Sequence, residues 1–308
     1  MQQEARRRAE QLPPPVRAVY PWTGRLRPAS GGLQHLIDEG PRDAPVLLCI
    51  HGNPTWSFYW RAVVARFADR FRVVVPDHIG CGLSDKPQDW PYRLAGHVDN
   101  LCSLVEDLDL RDITLIVHDW GGAIGMGMAT RDPGRVRRLA VTNTAAFPSR
   151  DIPLSIATVR IPIYGPLAVR GFNGFARVAT WRATARGLDP VAKQGLLFPY
   201  RSWHDRIATL RFVQDIPMKP NHPSWPELAR IGDQLGRLAD RPTLICWGDD
   251  DFCFTPRFRQ EWQRRFPGAE VHAWEDVGHY VMEDAPGRFL ARLDAFLARG
   301  GHGDGEPG

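Results

Sequence analysis

Leu115-Ile-Val-His-Asp-Trp-Gly-Gly122 is the stretch that decides the fold, because it joins a buried strand to a helix through one sharp turn. Apolar residues at 113–117 run into the turn, and the two glycines open a run rich in alanine and methionine. Enzymes that expose a nucleophile at the top of a sheet use this strand–turn–helix context. The residue at the turn is Asp119, and a carboxylate attacks without prior deprotonation. The stretch therefore predicts attack on an electrophilic carbon or a strained ring.

Short apolar runs alternate with helical patterns through most of the chain. The predicted strands lie at 46–50, 71–75, 113–117, 138–142, 243–247 and 270–274, with helices at 56–67, 94–108, 257–266 and 287–299. This alternation favours an α/β fold with a mostly parallel sheet covered by helices on both faces. Ligands of such folds bind at the carboxyl ends of the strands. We expect His51, Asp119, Asn143 and Asp251 at that edge.

One segment interrupts the alternation. Residues 148–232 are rich in proline, aromatic residues and arginine and contain no clear strand. We interpret them as a helical cap inserted after the predicted strand at 138–142, into a core formed by residues 16–147 and 233–299. Residues 1–15 and 300–308 are charged or rich in glycine and proline, so we predict that both ends are mobile.

Composition excludes several classes of protein. The net charge is +4, and no basic stripe interleaved with aromatic residues indicates nucleic-acid binding. The five cysteines are odd in number and far apart, so neither a disulfide framework nor a zinc site is expected. No other metal and no cofactor is predicted. The first residues lack the apolar core of a secretory signal, and no apolar run reaches the ~18 residues of a membrane span. We expect a cytoplasmic protein.

Three further motifs accompany Asp119. They are the turn His51-Gly-Asn-Pro54, the acidic strand end Trp247-Gly-Asp-Asp-Asp251, and Asp276-Val-Gly-His279-Tyr280. Each has another explanation taken alone, since an aspartate after a strand often caps a helix and a lone histidine is often structural. Their order of nucleophile, acid and histidine is that of α/β-hydrolases, which favours a catalytic set. Asp249 and Asp250 remain alternatives to Asp251 as the acid.

His51-Gly-Asn-Pro54 with Trp56 and Trp60-Arg61, and His118-Asp-Trp-Gly-Gly122, resemble the haloalkane dehalogenases over about residues 30–298. The resemblance implies an α/β-hydrolase fold with an eight-stranded sheet. It also implies that Asp119 displaces halide, that Asn53 and Trp120 bind the anion, and that His279 with an acid activates water. In one branch the acid lies three residues after the strand-ending glycine, here Asp251. The other branch has a glutamate where this chain has Asn143, which favours Asp251.

A closer resemblance rests on residues outside those motifs. Residues 76–87, 142–148 and 211–217 are similar to the β-lactone decarboxylases of bacterial long-chain olefin biosynthesis. That family converts cis-3,4-dialkyl-oxetan-2-ones into cis-alkenes and carbon dioxide, with Asn53 and Trp120 then expected to hold the lactone carboxylate. The alternatives are a haloalkane dehalogenase with the same residues, an epoxide hydrolase that uses Tyr164 and Tyr200, and a non-catalytic α/β-hydrolase that serves as a binding module.

The cap is predicted to suit a hydrophobic small-molecule substrate. Residues 152–169 are rich in isoleucine, leucine, valine and proline, with Arg160 inside this stretch and Arg170 directly after it. Phe172, Phe175, Val178 and Trp181 follow at roughly helical spacing. We expect most of these side chains to pack the cap on the core, and the rest to line an alkyl tunnel or to face lipid or a partner. The resemblance implies an assembly with a lactone synthetase and other enzymes of the olefin pathway. Peripheral membrane contact through the cap is the other expected interaction.

Overall fold

The computed structural model describes residues 1–299, and its centre is one eight-stranded sheet. The strands run in the spatial order β1-β2-β4-β3-β5-β6-β7-β8. β1 and β2 are antiparallel to their neighbours, and the remaining pairs are parallel. The bounds are β1 (Arg25–Ala29), β2 (Gly32–Glu39), β3 (Val46–Ile50), β4 (Arg72–Pro76), β5 (Ile113–Asp119), β6 (Val136–Thr144), β7 (Thr243–Gly248) and β8 (Glu270–Trp274).

The two faces of the sheet bury separate apolar cores because successive side chains of a strand point in opposite directions. On β3, Leu48 and Ile50 face one core while Leu47 and Cys49 face the other. The helices that cover these faces are α1 (Gln2–Glu10), α2 (Pro14–Val19), α3 (Arg61–Phe67), α4 (Leu94–Asp107), α5 (Trp120–Arg131), α12 (Pro256–Arg265), α13 (Val281–Asp284) and α14 (Pro286–Ala298). The predicted α/β-hydrolase fold with its mostly parallel sheet is confirmed.

The segment between β6 and β7 contains helices and turns. Its helices are α6 (Leu154–Thr158), α7 (Tyr164–Pro166), α8 (Gly174–Arg182), α9 (Pro190–Leu197), α10 (Ile207–Gln214) and α11 (Trp225–Gln234), with a π-helical turn at Leu167–Gly171. The prediction that its apolar residues mostly pack the cap on the core is wrong for Phe172, Val178 and Trp181, which are exposed. Small residues cause this, because Ala176, Thr180 and Ala183 occupy the inner face of α8 and its end.

Residues 1–15 were predicted to be mobile, but most of them form helix α1 and the start of α2, which pack on the protein. Helix α1 packs through Ala5 and Ala9, and Leu12 and Val16 continue the buried stripe. The Arg8 guanidinium donates to the Leu83 carbonyl and pairs with Asp85, both at 2.7 Å. Positions 5, 9, 12 and 16 have helical spacing, so an amphipathic pattern was present beneath the charged composition. The predicted mobile tail at 300–308 lies outside the described residues.

The antiparallel hairpin β1–β2 is an addition to the strands predicted from sequence. Its turn uses Gly31 and Gly32 at φ values of 98° and 130°, which favour glycine. β1 is an edge strand of the sheet and therefore tolerates a proline. This proline and the arginines of β1 hide the alternation of apolar and polar residues that identifies a strand. Within residues 1–299, no helix combines the length and the apolar character that a membrane span requires.

Candidate active site

Asp119 occupies a strained turn between β5 and α5. Its φ of 51° and ψ of −128° are costly for a residue with a side chain. The turn closes because Gly121 and Gly122 lack side chains. A Cβ at Gly121 would lie 2.2 Å from the Ile50 carbonyl oxygen, and one at Gly122 would lie 1.9 Å from Thr144 Oγ1. The Thr144 hydroxyl donates to the Asp119 carbonyl. The sequence of this turn therefore presents the carboxylate at the top of the sheet.

The Asp119 carboxylate accepts two backbone hydrogen bonds. The Asn53 N–H donates to Oδ1 at 2.6 Å, and the Trp120 N–H also donates to the carboxylate. Burial raises the pKa of Asp119 above its ordinary value, while His279 and the two N–H groups offset part of that rise. The second oxygen, Oδ2, faces His279 Nε2 at 3.7 Å. One oxygen is thus held in place and the other is directed toward the histidine.

Buried polar residues hold the turn that carries Asn53. His51 Nδ1 donates to the Gly52 carbonyl at 2.7 Å, and His51 Nε2 accepts the His78 N–H at 3.0 Å. Asp77, also buried, accepts from the Ser57 N–H at 2.6 Å. These buried hydrogen bonds hold the turn in place, so the Asn53 N–H stays directed at Asp119.

His279 pairs with Asp251, as the sequence motifs predict for a histidine and its acid. His279 Nδ1 donates to Asp251 Oδ2 at 2.8 Å, and both residues are buried. Burial alone lowers the pKa of His279, but the Asp251 and Asp119 carboxylates outweigh it and raise that pKa above its ordinary value. The His279 carbonyl is held by His118 Nε2 at 2.9 Å. Asp119, His279 and Asp251 therefore form one contiguous set.

Asn143 has a role that sequence reasoning missed. Its amide donates to Asp251 Oδ2 and to the Gly248 carbonyl, both at 2.9 Å, and its Oδ1 accepts the Gly248 N–H at 2.9 Å. Asn143 has a φ of 32°, a region in which asparagine is enriched. Its place at the end of β6 marked it as a residue of this edge. Its partners could not be predicted from the sequence, because they come near Asn143 only when β6 pairs with β7.

We expect Asn143→Ala to lower both stability and turnover. The substitution removes the Asn143 partner of the buried Gly248 N–H and carbonyl, which costs about 1–3 kcal/mol of unfolding free energy. It also removes one of the hydrogen bonds that position Asp251, which loosens the support of His279. Asn100→Ala is the matched control, since buried Asn100 makes two 2.9 Å hydrogen bonds to Ser30 away from the site. Denaturant unfolding should show losses in both variants, and kcat should fall only for Asn143→Ala. Equal kcat values would contradict a positioning role.

The two predicted anion donors, Asn53 and Trp120, line a cavity above Asp119. Asn53 Nδ2 donates to the Thr209 carbonyl of α10 at 3.2 Å, and an amide nitrogen carries a second hydrogen that remains for a ligand. The Trp120 ring packs on Phe212, with ring centroids 5.2 Å apart. Both side chains therefore lie beside Asp119 and contact α10 of the cap.

The wall of the cavity is largely apolar. Its volume is about 130 Å³, close to the ~150 Å³ that accommodates benzene. The closing residues come from the ends of β6 and β7 and from the cap, among them Phe147, Ile152, Ile156, Phe175, Val213 and Met218. Phe147 and Val213 belong to the segments 142–148 and 211–217, so these outlying motifs line the cavity. The site suits the ring and first carbons of an apolar substrate.

Other predicted candidates lie elsewhere. Asp249 pairs with Arg259 at 2.9 Å, and Asp250 is exposed, so neither contacts His279. Tyr164 is exposed on the cap, and the buried Tyr200 hydroxyl donates to the Thr55 carbonyl at 3.2 Å. The epoxide hydrolase alternative requires both tyrosines to line the cavity, and neither does. Among residues 1–299, no group of three His, Cys, Asp or Glu side chains is arranged to hold a metal ion.

Comparisons with known proteins agree with this geometry. The alpha/beta hydrolase family model matches residues 47–293. The chain is 42% identical to a cis-3-alkyl-4-alkyloxetan-2-one decarboxylase of Shewanella oneidensis, over 91% of this chain and 89% of that protein. It is also 42% identical to a protein of that name from Xanthomonas campestris, over 89% and 95% of the two chains.

A crystal structure of a variant of the haloalkane dehalogenase DatA from Agrobacterium tumefaciens superposes with a TM-score of 0.81. The identity is 28%, and the match covers 90% of this chain and 96% of that one. The fold and the sequence relatives thus point to the same group of enzymes. The chain belongs to the alpha/beta hydrolase family, in the branch that joins these decarboxylases to the haloalkane dehalogenases.

Proposed function

We propose that the protein is a β-lactone decarboxylase that converts cis-3,4-dialkyl-oxetan-2-ones into cis-alkenes and carbon dioxide. The observation that carries the proposal is the 42% identity to two decarboxylases along nearly their whole length. The apolar cavity above a buried aspartate supports it, because a dialkyl lactone presents a strained, uncharged ring with apolar substituents. The dehalogenases are more distant relatives.

The first step of the proposed reaction is attack by Asp119 on the alkyl-bearing ring carbon, C4. Oδ2 is the attacking oxygen, since Oδ1 is held by the Asn53 N–H. A bond forms from Oδ2 to C4 with inversion, and the bond from C4 to the ring oxygen breaks. The product is an ester of Asp119 whose neighbouring carbon bears a carboxylate. The Asn53 amide and the Trp120 indole N–H stabilise that carboxylate.

The second step regenerates the enzyme. The bond between the carboxylate carbon and C3 breaks, its electron pair forms the C3–C4 double bond, and the Asp119 carboxylate departs from C4. Carbon dioxide and alkene leave, and no water is consumed. Inversion followed by anti elimination amounts to net syn loss, which converts a cis-lactone into a cis-alkene. Attack at the ring carbonyl is the competing route, and it passes through a mixed anhydride.

His279 does not need to activate water in this sequence of steps. Its raised pKa favours the protonated imidazolium, which is anchored by Asp251 and stands 3.7 Å from Asp119 Oδ2. A cation at this distance stabilises negative charge on Oδ2 when the ester bond breaks. In a dehalogenase cycle the same residue must instead be neutral in order to remove a proton from water.

A paired substrate assay tests the proposal. Purified protein should release alkene and carbon dioxide in equal amounts from a synthetic cis-dialkyl β-lactone, and release little halide from a 1-bromoalkane of similar length. In water enriched in oxygen-18, the Asp119 carboxylate should stay unlabelled after lactone turnover, because no water attacks the ester. Halide release without alkene formation would assign the chain to the dehalogenases instead.

The pH dependence should separate the two chemistries. Alkene formation requires the Asp119 carboxylate, so its rate should fall as pH drops through the raised pKa of Asp119. Hydrolysis of the ester requires neutral His279, so repeated turnover of a haloalkane, measured as kcat for halide release, should already fall at higher pH, through the raised pKa of that histidine. We expect kcat/KM for the lactone to stay level where halide release declines, measured from about pH 5 to about pH 9. Coincident acid limbs would contradict this role of His279.

We further propose a cytoplasmic location, which the five free cysteines support. Cell fractionation with a periplasmic marker tests this location. The lactone synthetase expected as a partner stays a prediction, and co-purification of the two enzymes at native levels is its test.

A further inference from the structure

The outer surface of the cap carries an unusual concentration of exposed apolar side chains. Eleven large hydrophobic residues of the described chain are exposed, and eight of them lie between Leu154 and Trp181. We call these eight the cap face. Its most exposed members are Leu154 at 79%, Ile163 at 77%, Phe172 at 75% and Trp181 at 72%. Single exposed apolar residues are ordinary, whereas a concentration of them marks an interaction surface.

Helix α8 shows that this exposure is built into the sequence. Ala176 and Thr180 lie on the buried side of the helix, while Val178 and Trp181 are exposed. A helix that packs on a core does the opposite, placing its large apolar residues inward. Apart from Phe175, which lines the cavity, the inner side of α8 carries small side chains, so Val178 and Trp181 cannot turn inward without displacing the helix. The helix is therefore suited to an apolar environment outside the protein.

Charge identifies that environment. Residues 152–188 contain five arginines and no aspartate or glutamate. In the described chain only Arg186 of this group forms an ion pair, with Asp276, whereas Arg177 and Arg182 are exposed beside Val178 and Trp181. A helix with aromatic residues interleaved with arginine suits the interface of a bilayer that contains anionic lipid. A protein partner with an apolar face would not require a segment free of acidic residues.

The cap face and the cavity share their walls. Ile156 of α6 lines the cavity and Leu154 of the same helix is exposed; Phe175 and Val178 stand in the same relation on α8. Only one helix therefore separates the cavity from the exterior at these places. A cavity of about 130 Å³ cannot enclose two long alkyl chains, so the chains of such a substrate must continue beyond it.

We propose that the cap face docks on an anionic lipid bilayer and that the substrate enters the cavity from the lipid past α6 and α8. The docking is independent of catalysis. Only the entry of a lactone rests on the proposed function. The proposal assigns Arg177 and Arg182 to lipid headgroups and the apolar side chains to the boundary between headgroups and acyl chains.

Vesicle sedimentation without substrate tests the docking. The full chain should pellet with phosphatidylcholine vesicles that contain about 30% phosphatidylglycerol, and much less with pure phosphatidylcholine. Phe172→Ser/Trp181→Ser and Arg177→Glu/Arg182→Glu should each weaken partitioning at least about tenfold. The matched control is Arg6→Glu/Arg17→Glu, which makes the same charge change at exposed arginines outside the cap and should keep most of the binding. Thermal unfolding verifies that each variant is folded.

Two results would overturn the docking. The first is equal sedimentation of wild type and cap variants. The second is self-association in solution that the cap variants abolish while wild type ignores vesicles, which would assign the cap face to a second copy of the chain. Tryptophan emission gives an independent readout, because vesicles should shift the wild-type spectrum to the blue more than that of Trp181→Phe.

Turnover tests the entry route separately. Phe172→Ser/Trp181→Ser should raise KM at least about fivefold for a long-chain lactone carried in anionic vesicles, and should leave kcat/KM for a short water-soluble lactone unchanged. Loss with both substrates would contradict entry from lipid. Absence of turnover with both in wild type would contradict the proposed function and leave the sedimentation result standing.

Discussion

Asp119→Asn should abolish alkene formation, with a loss of at least about 10⁴-fold in kcat. An amide at this position cannot form the ester with C4, because its oxygen is a far weaker nucleophile than a carboxylate oxygen. The substitution keeps the size of the side chain and its contact with the Asn53 N–H, so the protein should remain folded. The measurement is alkene release from the cis-lactone, with mass spectrometry verifying that the asparagine has not deamidated.

Asp250→Asn is the matched control for this substitution. Asp250 is an exposed member of the acidic strand end and does not contact His279, so its variant should retain wild-type turnover. Appreciable alkene from intact Asp119→Asn protein would remove Asp119 from the role of nucleophile. Loss of activity in both variants would instead indicate a general effect of lowering the negative charge.

Gly52→Ala should cost at least about 10³-fold in kcat/KM, a second effect expected to be large. A Cβ at residue 52 would lie 2.0 Å from Asp119 Oδ1 and 2.3 Å from Asp119 Cβ. Such distances force the nucleophile, the turn or both to move. The added methyl also overpacks a buried site, so we expect a loss of about 1–3 kcal/mol in unfolding free energy.

Gly236→Ala controls for the loss of a glycine, since a Cβ there meets no heavy atom within 4 Å. It should leave both activity and stability close to wild type. Unfolding in denaturant separates a folding defect from a catalytic one, because a folded Gly52→Ala protein with low activity shows that the nucleophile has moved. Wild-type kinetics in Gly52→Ala would show that the turn and the carboxylate are not held together as the structure has them.

The grouping of Asp119, Asp251 and His279 was predictable because its signals are local. Asp119 ends the buried strand β5, Asp251 follows the buried strand β7, and His279 follows the partly exposed edge strand β8. Parallel strands bring such positions to one edge of the sheet. The choice of Asp251 among three neighbouring aspartates was harder, because it rested on a resemblance. The structure distinguishes them through Arg259, which engages Asp249, and through the exposure of Asp250.

The features that sequence reasoning missed depend on contacts between residues that are far apart in the chain. Asn143 bonds to Gly248 at the end of β7 and to Asp251 just after it, about a hundred residues away in the chain, so its role needs the sheet to be assembled. The spacing of Phe172, Val178 and Trp181 indicates a helix but does not tell which side meets the core. Ala176 and Thr180 form the buried side, and small residues of this kind do not identify a buried side in a sequence. In α1 the spacing was informative, and the charged composition concealed it.

The hydrogen bonds to the Asp119 carboxylate have a consequence for the end of the catalytic cycle. The N–H groups of Asn53 and Trp120 hold the carboxylate in the resting enzyme. When the ester breaks, negative charge returns to a group whose solvation is already in place. The same donors therefore keep Asp119 ionised for attack and stabilise it as a leaving group. A serine in its place would have to depart as an alkoxide, a much stronger base. This reversibility of attachment lets the enzyme release its product without hydrolysis.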